Sequence, residues 1–510
     1  MRPGTRVRDI SISHLWYGGI GLWRLPNGKK VLIKWALPGS VVEVMITKSK
    51  KDYLEAHIVE VQSVPAQLLS WEVRCPHYLF PYQQQTADLP VHKKGCGGCK
   101  RQMIAYEQQL VMKQGIIEDC FKAVTAQVGK LPLEAILPAP QQFGYRNKIE
   151  FSFGKYLQRF PKESGEEWFA IAEHRNMWFH KQGEFSKVLD IDQCYLISER
   201  MHRVYALMKQ YCKASGLPVY DVKQHQWFRR HLVMREWVAT QQIMVHLSVA
   251  SEQLQHIKDW KKLRQNFVQQ IRQDATISEL VTTVVVTNNN GLADIVTSDD
   301  VPSDVLWGEG RIREEMEIKW TTLRFQISPF SFFQTNTLWA SLLFSTALSY
   351  LQHVPDLVVD LYCGSGTIGL ATLKAWFGKR VVGIDTVTEA IHDANKNAAL
   401  NDLSWNANFF VGKAEKIADE VLHKQGDLKS GDLVIVDPPR EGLHENMRRF
   451  LIDRSKKYRF QLLYISCNPL TMARDIQELL SNWFSLSVLQ PVDMFPHTHH
   501  IETIGILQTK

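Results

Sequence analysis

The sequence lacks any apolar run of the roughly 18 residues that a membrane-spanning helix requires. Its first residues, MRPGTRVRDISISH, also lack the apolar stretch of a secretory signal. It contains no internal repeat and no low-complexity segment, so no repeat architecture is expected. These absences favour a cytoplasmic enzyme that has no membrane partner.

The excess of basic over acidic residues is small. The chain has 60 Lys and Arg against 53 Asp and Glu, a net charge of +7. This fits a nucleic-acid partner but does not decide for one. The distribution is more informative, because basic residues gather in three segments: 24–51, a group around a cysteine pair, and a triplet further on (Lys93, Lys94, Lys100 and Arg101; then Arg229, Arg230 and Arg235).

Cysteines are few for 510 residues. There are eight of them. Because a reducing compartment disfavours disulfides, grouped cysteines are interpreted as metal ligands or catalysts. Cys120, Cys212 and Cys363 lie in stretches where packing is the expected role.

The pattern of strands and helices predicts three domains. Residues 1–65 contain short alternating runs separated by turn signals, typical of an OB-like β-barrel that binds RNA. Residues 66–330 combine a helical stretch near 103–124 with β-rich runs and amphipathic helices, which indicates an α+β domain. Residues 331–510 alternate apolar strands with helices, which predicts a Rossmann-like parallel sheet covered on both faces.

The first strand–helix turn of the last domain is rich in glycine. It reads Asp360-Leu-Tyr-Cys-Gly-Ser-Gly-Thr-Ile-Gly369, and such a turn lets the backbone approach a ligand closely. The pattern alone allows a dinucleotide, but the spacing of Gly364 and Gly366 favours S-adenosylmethionine. Asp385 ends the second strand, where it can accept the ribose hydroxyls.

Two further motifs carry chemistry. Asp437-Pro-Pro-Arg440 ends the fourth strand, and Ser466-Cys467-Asn468-Pro469 ends the fifth, so both face the ligand crevice. Carbon 5 of uracil becomes nucleophilic only after a thiolate adds to carbon 6, and a base must later remove the proton from carbon 5. We therefore predict Cys467 as nucleophile and Glu502, in HHIET, as general base. No metal is expected at the histidines of this segment.

With these motifs in place, the chain resembles the RNA uracil-5-methyltransferase family, in particular bacterial 23S ribosomal RNA members with a TRAM domain and an iron–sulfur cluster. The resemblance rests on GYRNKIEFSFG, SPFSFFQTN, LYCGSGTIGL, VDPPREGL, YISCNP and MFPHTHHIET. It implies a class I methyltransferase fold. It also implies that Gln334, Tyr362, Asp385 and Asp437 contact S-adenosylmethionine and that Phe332 stacks on a flipped base. After the third strand, where the family often has an acidic residue, this chain has Lys413. Glu415, two positions later, is therefore not assigned the adenine contact of that acid.

The same resemblance implies a [4Fe-4S] cluster held by Cys75, Cys96, Cys99 and Cys194. Twenty residues lie between Cys75 and Cys96, so an insertion at roughly 80–94 must loop out. Zinc held by Cys75, Cys96, Cys99 and either His77 or His92 is the alternative.

Four functions are compared. The leading one is methylation of 23S ribosomal RNA by a monomer, and the same reaction on a tRNA T-loop uridine is the close alternative. A non-catalytic RNA-binding protein would not need Cys467 and Glu502. An oxidoreductase would leave the SCNP, DPPR and HIET segments without roles.

Overall fold

A computed structural model describes residues 1–70, 72–78, 96–161, 167–181, 184–189, 191–215, 217–221, 224–225, 228–250, 260–292, 296, 303–375 and 378–510, with backbone alone for 155–161, 167–181, 184–187 and 260. The insertion expected at 80–94 and the alternative ligand His92 lie outside these residues. Among the described residues, no helix combines the length and the apolar character needed to cross a bilayer.

The N-terminal module is a six-stranded sheet with the order β1-β5-β6-β4-β3-β2, one strand more than the five or so that the sequence suggests. In β4 and in most of β6 alternate residues are buried, as in Leu54, Ala56 and Ile58, because successive side chains of a strand point to opposite faces. The barrel closes tightly at Gly21, where a Cβ would lie 2.2 Å from the Cβ of Ala36. Its strands are β1 Arg6–Ser11, β2 His14–Trp16, β3 Ile20–Arg24, β4 Lys30–Lys34, β5 Val41–Ser49 and β6 Tyr53–Ser63.

Two helices follow the cysteine segment where the sequence suggests one. Helix α1 (Tyr106–Cys120) stops because Phe121 leaves the helical region at φ −95°, ψ 10°, and α2 (Lys122–Val128) ends at Gly129, whose φ is +78°. The apolar side chains of both helices join the core shared by the barrel and one face of the C-terminal sheet. They therefore connect the barrel to the C-terminal domain.

The central domain is built on a sheet with the order β13-β12-β11-β10-β7-β8-β9. Its apolar face packs on helices, as the hydrophobic core of this region shows. The elements are β7 Lys148–Pro161, β8 Glu167–Lys181, β9 Glu184–Leu189, α3 Glu199–Ala214, β10 Arg229–Glu236, β11 Ile243–Val249, α4 Trp260–Gln273, α5 Ala275–Leu280, β12 Val281–Asn288 and β13 Ser303–Trp307.

The basic triplet of this domain is not an exposed RNA-binding patch. Arg229, Arg230 and Arg235 lie in β10 and are 1%, 1% and 6% exposed. Arg229 donates to the carbonyl oxygen of Cys212, and Arg235 donates to that of Ser331. Their charges are therefore used inside the protein, where burial requires hydrogen-bond partners.

A hairpin and a helix lead into the last domain: β14 (Ile312–Ile318), β15 (Thr321–Ile327) and α6 (Thr337–Ser349). The C-terminal sheet then has the order β18-β17-β16-β19-β20-β22-β21. Strands β16 to β20 pair in parallel, whereas β22 runs antiparallel to both of its neighbours. This confirms the predicted class I methyltransferase architecture. Its elements are β16 Leu357–Leu361, α7 Thr367–Lys374, β17 Arg380–Asp385, α8 Thr388–Leu400, β18 Ala407–Val411, α9 Ala414–Gln425, β19 Leu433–Val436, α10 Glu445–Ser455, β20 Gln461–Ser466, α11 Pro469–Leu480, β21 Phe484–Val492 and β22 Glu502–Thr509.

Candidate active site

The glycine-rich loop between β16 and α7 is shaped for close contact with a ligand. The amides of Tyr362 and Cys363 both donate to the carbonyl oxygen of Ile384, and Tyr362 has a φ of +68°. Gly366 begins α7 with a φ of +81°, and a Cβ there would lie 2.9 Å from the Phe409 ring. The loop therefore requires glycine at this position, and the first amides of α7 are left facing the crevice.

Two carboxylates support this loop. Asp385 accepts from the amides of Gly364 and Val387, both at 2.9 Å, so it ties the loop to the end of β17 and still has lone pairs for a ribose. Asp360 is buried and accepts from the Gly369 amide at 2.9 Å. Its other oxygen, Oδ1, has no partner within the described structure. Burial raises the pKa of Asp360 to about 8, and a glycine cradle with an unused buried acceptor fits S-adenosylmethionine.

Helix α8 supplies contacts that the sequence motifs do not reveal. Asp393 accepts from the amide and hydroxyl of Ser328 and from the hydroxyl of Ser331, at 2.6–2.9 Å. One turn later, Asn397 accepts from the Gln326 amide and donates to the Ser365 carbonyl. One helix face thus joins the cofactor loop to segment 328–336, since residues four apart are neighbours on a helix.

Segment 328–336 presents the two residues that the resemblance assigned to it. Phe332 is 64% exposed, which leaves its ring free to meet a base. The Gln334 carbonyl accepts from the Asn147 side chain, and the Asn147 amide donates to Thr335, so the backbone here is held by the GYRNK segment. The stacking role of Phe332 stays a prediction.

Cys467 and Glu502 lie side by side. Ser466 ends β20 and pairs with Thr503 of β22, so the next positions outward are Cys467 and Glu502. The effect of the Glu502 carboxyl on the acidity of the Cys467 thiol agrees with this proximity. Asp437 and Arg440 follow the neighbouring strand β19. The geometry therefore places a thiol, two carboxyls and a guanidinium at one sheet edge, next to the glycine loop.

These groups change one another's acidity. Burial, reinforced by Glu502 and Asp437, raises the pKa of Cys467 to about 12, while a hydrogen bond with Arg440 opposes this. Burial and the nearby Asp437 raise the pKa of Glu502 to about 8. Asp437, buried and close to Asp385, has a pKa raised to about 7. Perturbed carboxyls in a crevice are typical of functional sites.

The N-terminal barrel contributes to this site. Burial raises the pKa of Tyr17, and its electrostatic neighbours include Arg440 and Cys467. At Gly19 a Cβ would lie 2.4 Å from an Arg101 nitrogen and 3.1 Å from the Cβ of His499. Tyr17 was not among the residues expected from sequence. Arg440 was found in the DPPR motif, but nothing in the sequence indicates the approach of Tyr17.

The four cysteines at 75, 96, 99 and 194 come together around one point. Beyond the effect of burial, Cys194 and Cys75 raise the pKa of Cys96, Cys194 and Cys96 raise that of Cys99, and Cys75 raises that of Cys194. Arg146 opposes this at Cys96, Cys99 and Cys194. Backbone amides of residues 77, 78, 98, 196 and 197 are directed at the sulfurs. Over the described ranges, however, no group of three or more His, Cys, Asp or Glu side chains is arranged to hold a metal ion.

The histidines of the 493–501 segment are largely withdrawn from solvent. His497 is 3% exposed, and its Nδ1 lies 3.2 Å from Gln109 Nε2. His499 lies 3.4 Å from the Lys100 ammonium. Burial lowers the pKa values of His497, His499 and His500 to about 4, 2 and 3. They are therefore neutral side chains packed between the barrel and the catalytic sheet.

Comparisons with known proteins agree with this architecture. The sequence matches the family described as tRNA (uracil-5-)-methyltransferase over residues 106–510, and the TRAM domain over residues 5–59. It is 30% identical over 504 residues to an uncharacterized RNA methyltransferase of Caldanaerobacter subterraneus subsp. tengcongensis, with 98% of each chain covered. An uncharacterized RNA methyltransferase of Chlorobaculum tepidum is 31% identical over 488 residues, covering 94% of this chain and 92% of the relative.

One solved structure is similar over nearly the whole chain. It is the Pyrococcus abyssi tRNA (uracil-54, C5)-methyltransferase in complex with S-adenosyl-L-homocysteine. The TM-score is 0.67 at 22% sequence identity, and the match covers 98% of this chain and 99% of the other. The shared feature is the fold.

The raised pKa of Glu502 predicts how its replacement affects stability. A carboxyl that titrates near 4.3 when unfolded and at about 8 when folded stabilises the protein at low pH, and this contribution is lost as pH rises through 8. Glu502→Gln cannot ionise. The free energy of unfolding of this variant minus that of the wild-type protein should therefore be larger at pH 9 than at pH 5, by about 2–5 kcal/mol.

Denaturant titrations at both pH values measure this difference. Glu420→Gln is the matched control, because Glu420 is exposed and its pKa is lowered by Lys424. A Glu502→Gln difference that does not change with pH would contradict the assigned environment of the carboxyl.

Proposed function

Because the chain belongs to the tRNA (uracil-5-)-methyltransferase family and is an S-adenosylmethionine-dependent RNA methyltransferase, we propose that it methylates carbon 5 of a uridine in 23S ribosomal RNA. Cys467 is the nucleophile and Glu502 the general base. The observation that supports this proposal is the β20–β22 register, in which Ser466 pairs with Thr503, together with the electrostatic effect of Glu502 on the Cys467 thiol. The resemblance of the sequence motifs to those of bacterial 23S ribosomal RNA members favours a ribosomal substrate.

Methylation of tRNA is the second candidate. The archaeal structure that matches 98% of this chain is, by its title, an enzyme for uracil-54 of tRNA. A match of that extent includes the barrel and the cysteine segment, so these features do not by themselves separate the two substrates. The chemistry of the site is the same for both.

The thiolate form of Cys467 begins the reaction by adding its sulfur to carbon 6 of the uracil. The electrons of the carbon 5–carbon 6 bond move to oxygen 4, and the resulting enolate makes carbon 5 nucleophilic. S-adenosylmethionine supplies the methyl group and leaves as S-adenosylhomocysteine. Glu502 then removes the proton from carbon 5, the double bond reforms, and the Cys467 thiolate departs.

The electrostatics of the site suit both steps. Arg440, hydrogen-bonded to Cys467, stabilises the thiolate that a buried site would otherwise disfavour. Glu502, with a pKa of about 8, exists in both protonation states near neutral pH and can accept a proton. Asp437 and the glycine loop hold the cofactor side of the crevice, and Phe332 offers an exposed ring for stacking on the extruded base.

The cysteine segment is proposed to hold a [4Fe-4S] cluster with Cys75, Cys96, Cys99 and Cys194 as ligands. Four thiols that influence one another's acidity, with amide N–H groups directed at their sulfurs, are a donor set that suits such a cluster. In the zinc alternative His77 would be a ligand, but its Nε2 lies within hydrogen-bonding distance of the Asp192 amide. When bound, the cluster would hold the segment together; no step of methyl transfer depends on it.

The protein is further proposed to act as a monomer in the cytoplasm. All eight cysteines are free thiols, which a reducing compartment would maintain. The barrel and the catalytic sheet of a single chain already meet at Cys467, so the site needs no residue from a second copy.

The roles of Cys467 and Glu502 predict different failures. Glu502→Gln should still methylate the base but cannot remove the carbon 5 proton, so a covalent RNA–protein species should accumulate on a denaturing gel. Cys467→Ala should give neither product nor this species, while S-adenosylhomocysteine binding measured by calorimetry stays close to that of the unmodified protein. A stalled species with Cys467→Ala, or none with Glu502→Gln, would overturn these roles.

The substrate is identified by mapping 5-methyluridine in ribosomal and transfer RNA from cells with and without this gene. Loss at one or more 23S positions is the expected result. Loss confined to tRNA would establish the second candidate, and an unchanged map would contradict both.

Protein purified without oxygen should contain about four irons per chain. Ala substitution of any proposed ligand should lower iron content and destabilise the N-terminal half. Cys120→Ala and Cys212→Ala are matched controls and should leave iron unchanged, because both thiols are buried in helices away from the four. Zinc in place of iron, or full iron content in Cys194→Ala, would contradict the cluster.

A further inference from the structure

The segment between β21 and β22, residues 493–501, leads directly into the Glu502 carboxyl. It begins with Asp493, which is fully buried and forms an ion pair with Lys113 of helix α1. The Lys113 Nζ lies 2.5 Å from Asp493 Oδ1 and also donates to the Phe495 carbonyl at 3.0 Å. Asp493 accepts further from the Tyr106 hydroxyl at 3.0 Å and from the Phe495 amide at 3.1 Å. Every oxygen of this carboxylate is therefore used.

The middle of the segment is held from the same side. The Gln109 side chain, one turn before Lys113, accepts from the His497 amide at 2.9 Å. The amides of Lys100 and Arg101, directly after Cys99, both donate to the His497 carbonyl at 2.8 and 3.0 Å. His497 itself has a φ of +64°, which a residue other than glycine adopts at a cost of about 1 kcal/mol or more. Such a backbone persists only where its surroundings impose it.

The segment is also tied to the loop that presents Phe332 and Gln334. Asn336 donates from its side chain to the Met494 carbonyl at 2.8 Å, and the Tyr145 hydroxyl donates to the Pro496 carbonyl at 3.0 Å. Residues 493–501 thus form hydrogen bonds both with helix α1 and with segment 328–336. Both sets of contacts end a few residues before Glu502.

We propose that Lys113, through its buried ion pair with Asp493, is a positioning residue for the Glu502 base. A buried ion pair contributes little to stability compared with apolar side chains of similar volume, because both charges lose their hydration. Its advantage is geometric: it sets the backbone of Asp493 and Phe495 relative to helix α1. A base must lie within hydrogen-bond reach of the proton that it removes, and a displacement of about 1 Å can cost roughly 100-fold in rate.

The proposal rests on the function proposed above and concerns one step of it. Loss of the ion pair should leave cofactor binding and methyl transfer largely intact, since Cys467 and the glycine loop do not contact Lys113. Removal of the carbon 5 proton should slow, and the covalent RNA–protein species should persist, as is expected for Glu502→Gln. A side chain that served stability alone would not separate these two steps.

The experiment follows both steps in one reaction. RNA from cells lacking this gene, carrying tritium at carbon 5 of its uridines, is incubated with S-adenosylmethionine labelled with carbon-14 in the methyl group. Carbon-14 in RNA reports methyl transfer, and tritium in water reports proton removal. With Lys113→Met, tritium release should slow roughly 10- to 100-fold more than carbon-14 transfer.

The double variant Lys113→Met/Asp493→Asn separates position from charge. It restores neutrality, so a defect caused only by an unpaired Asp493 should disappear, whereas a positioning defect should persist. Arg200→Met is the matched control, since it removes one partner of another ion pair, with the buried Glu236 at 2.6 Å, and should keep the two labels in step. Thermal melting and S-adenosylhomocysteine binding verify that each variant is folded.

Equal slowing of both labels in Lys113→Met, or return of the normal ratio in the double variant, would overturn the positioning role. If the unmodified protein releases tritium and Glu502→Gln does not, the proposed function stands whatever the Lys113 variants do. If the wild-type protein transfers carbon-14 without releasing tritium, both the proposed function and the positioning role of Lys113 are wrong.

Discussion

The antiparallel insertion of β22 beside β20 is the constraint on which the site depends. In a sheet whose other central strands are parallel, catalytic groups gather where strands end, and a strand of opposite direction begins at that same edge. Cys467 follows the end of β20 and Glu502 starts β22, so one register brings together residues that are 35 positions apart. A slip of one residue would turn Glu502 to the opposite face of the sheet.

The same closeness creates an electrostatic conflict. A buried thiol beside two carboxyls resists ionisation, and the pKa of Cys467 is accordingly raised to about 12. Arg440 favours the thiolate, and a proton on Glu502 removes one of the repelling charges. Near neutral pH that carboxyl is partly protonated, because its own pKa is about 8. The protonated fraction of Glu502 would ease nucleophilic addition, whereas the base role proposed for this residue requires its ionised fraction.

The parts of the site that sequence predicts are those in which one short motif implies one geometry. The spacing of the glycines predicts the turn. Asp385 is predicted to lie beside this turn because it ends the second strand. Cys467 is predicted as nucleophile because it follows a strand end and because methylation of uracil requires a thiolate. Asp393, Tyr17 and Lys113 could not be found in this way, because their roles come from contacts with residues far away in sequence. The buried position of the basic triplet in β10 could not be predicted for a related reason. Its arginines donate to carbonyl oxygens inside the protein rather than to phosphates of RNA.

The central claim, covalent catalysis by Cys467, is tested most directly with RNA in which uridine is replaced by 5-fluorouridine. Fluorine on carbon 5 cannot leave as a cation, so the reaction should stop with the methylated base attached to the enzyme. Proteolysis and mass spectrometry should then find one modified peptide, bearing methyl-fluorouridine on Cys467 and formed only when S-adenosylmethionine is present. Release of methylated RNA with no attached peptide, or attachment at another residue, would contradict the account.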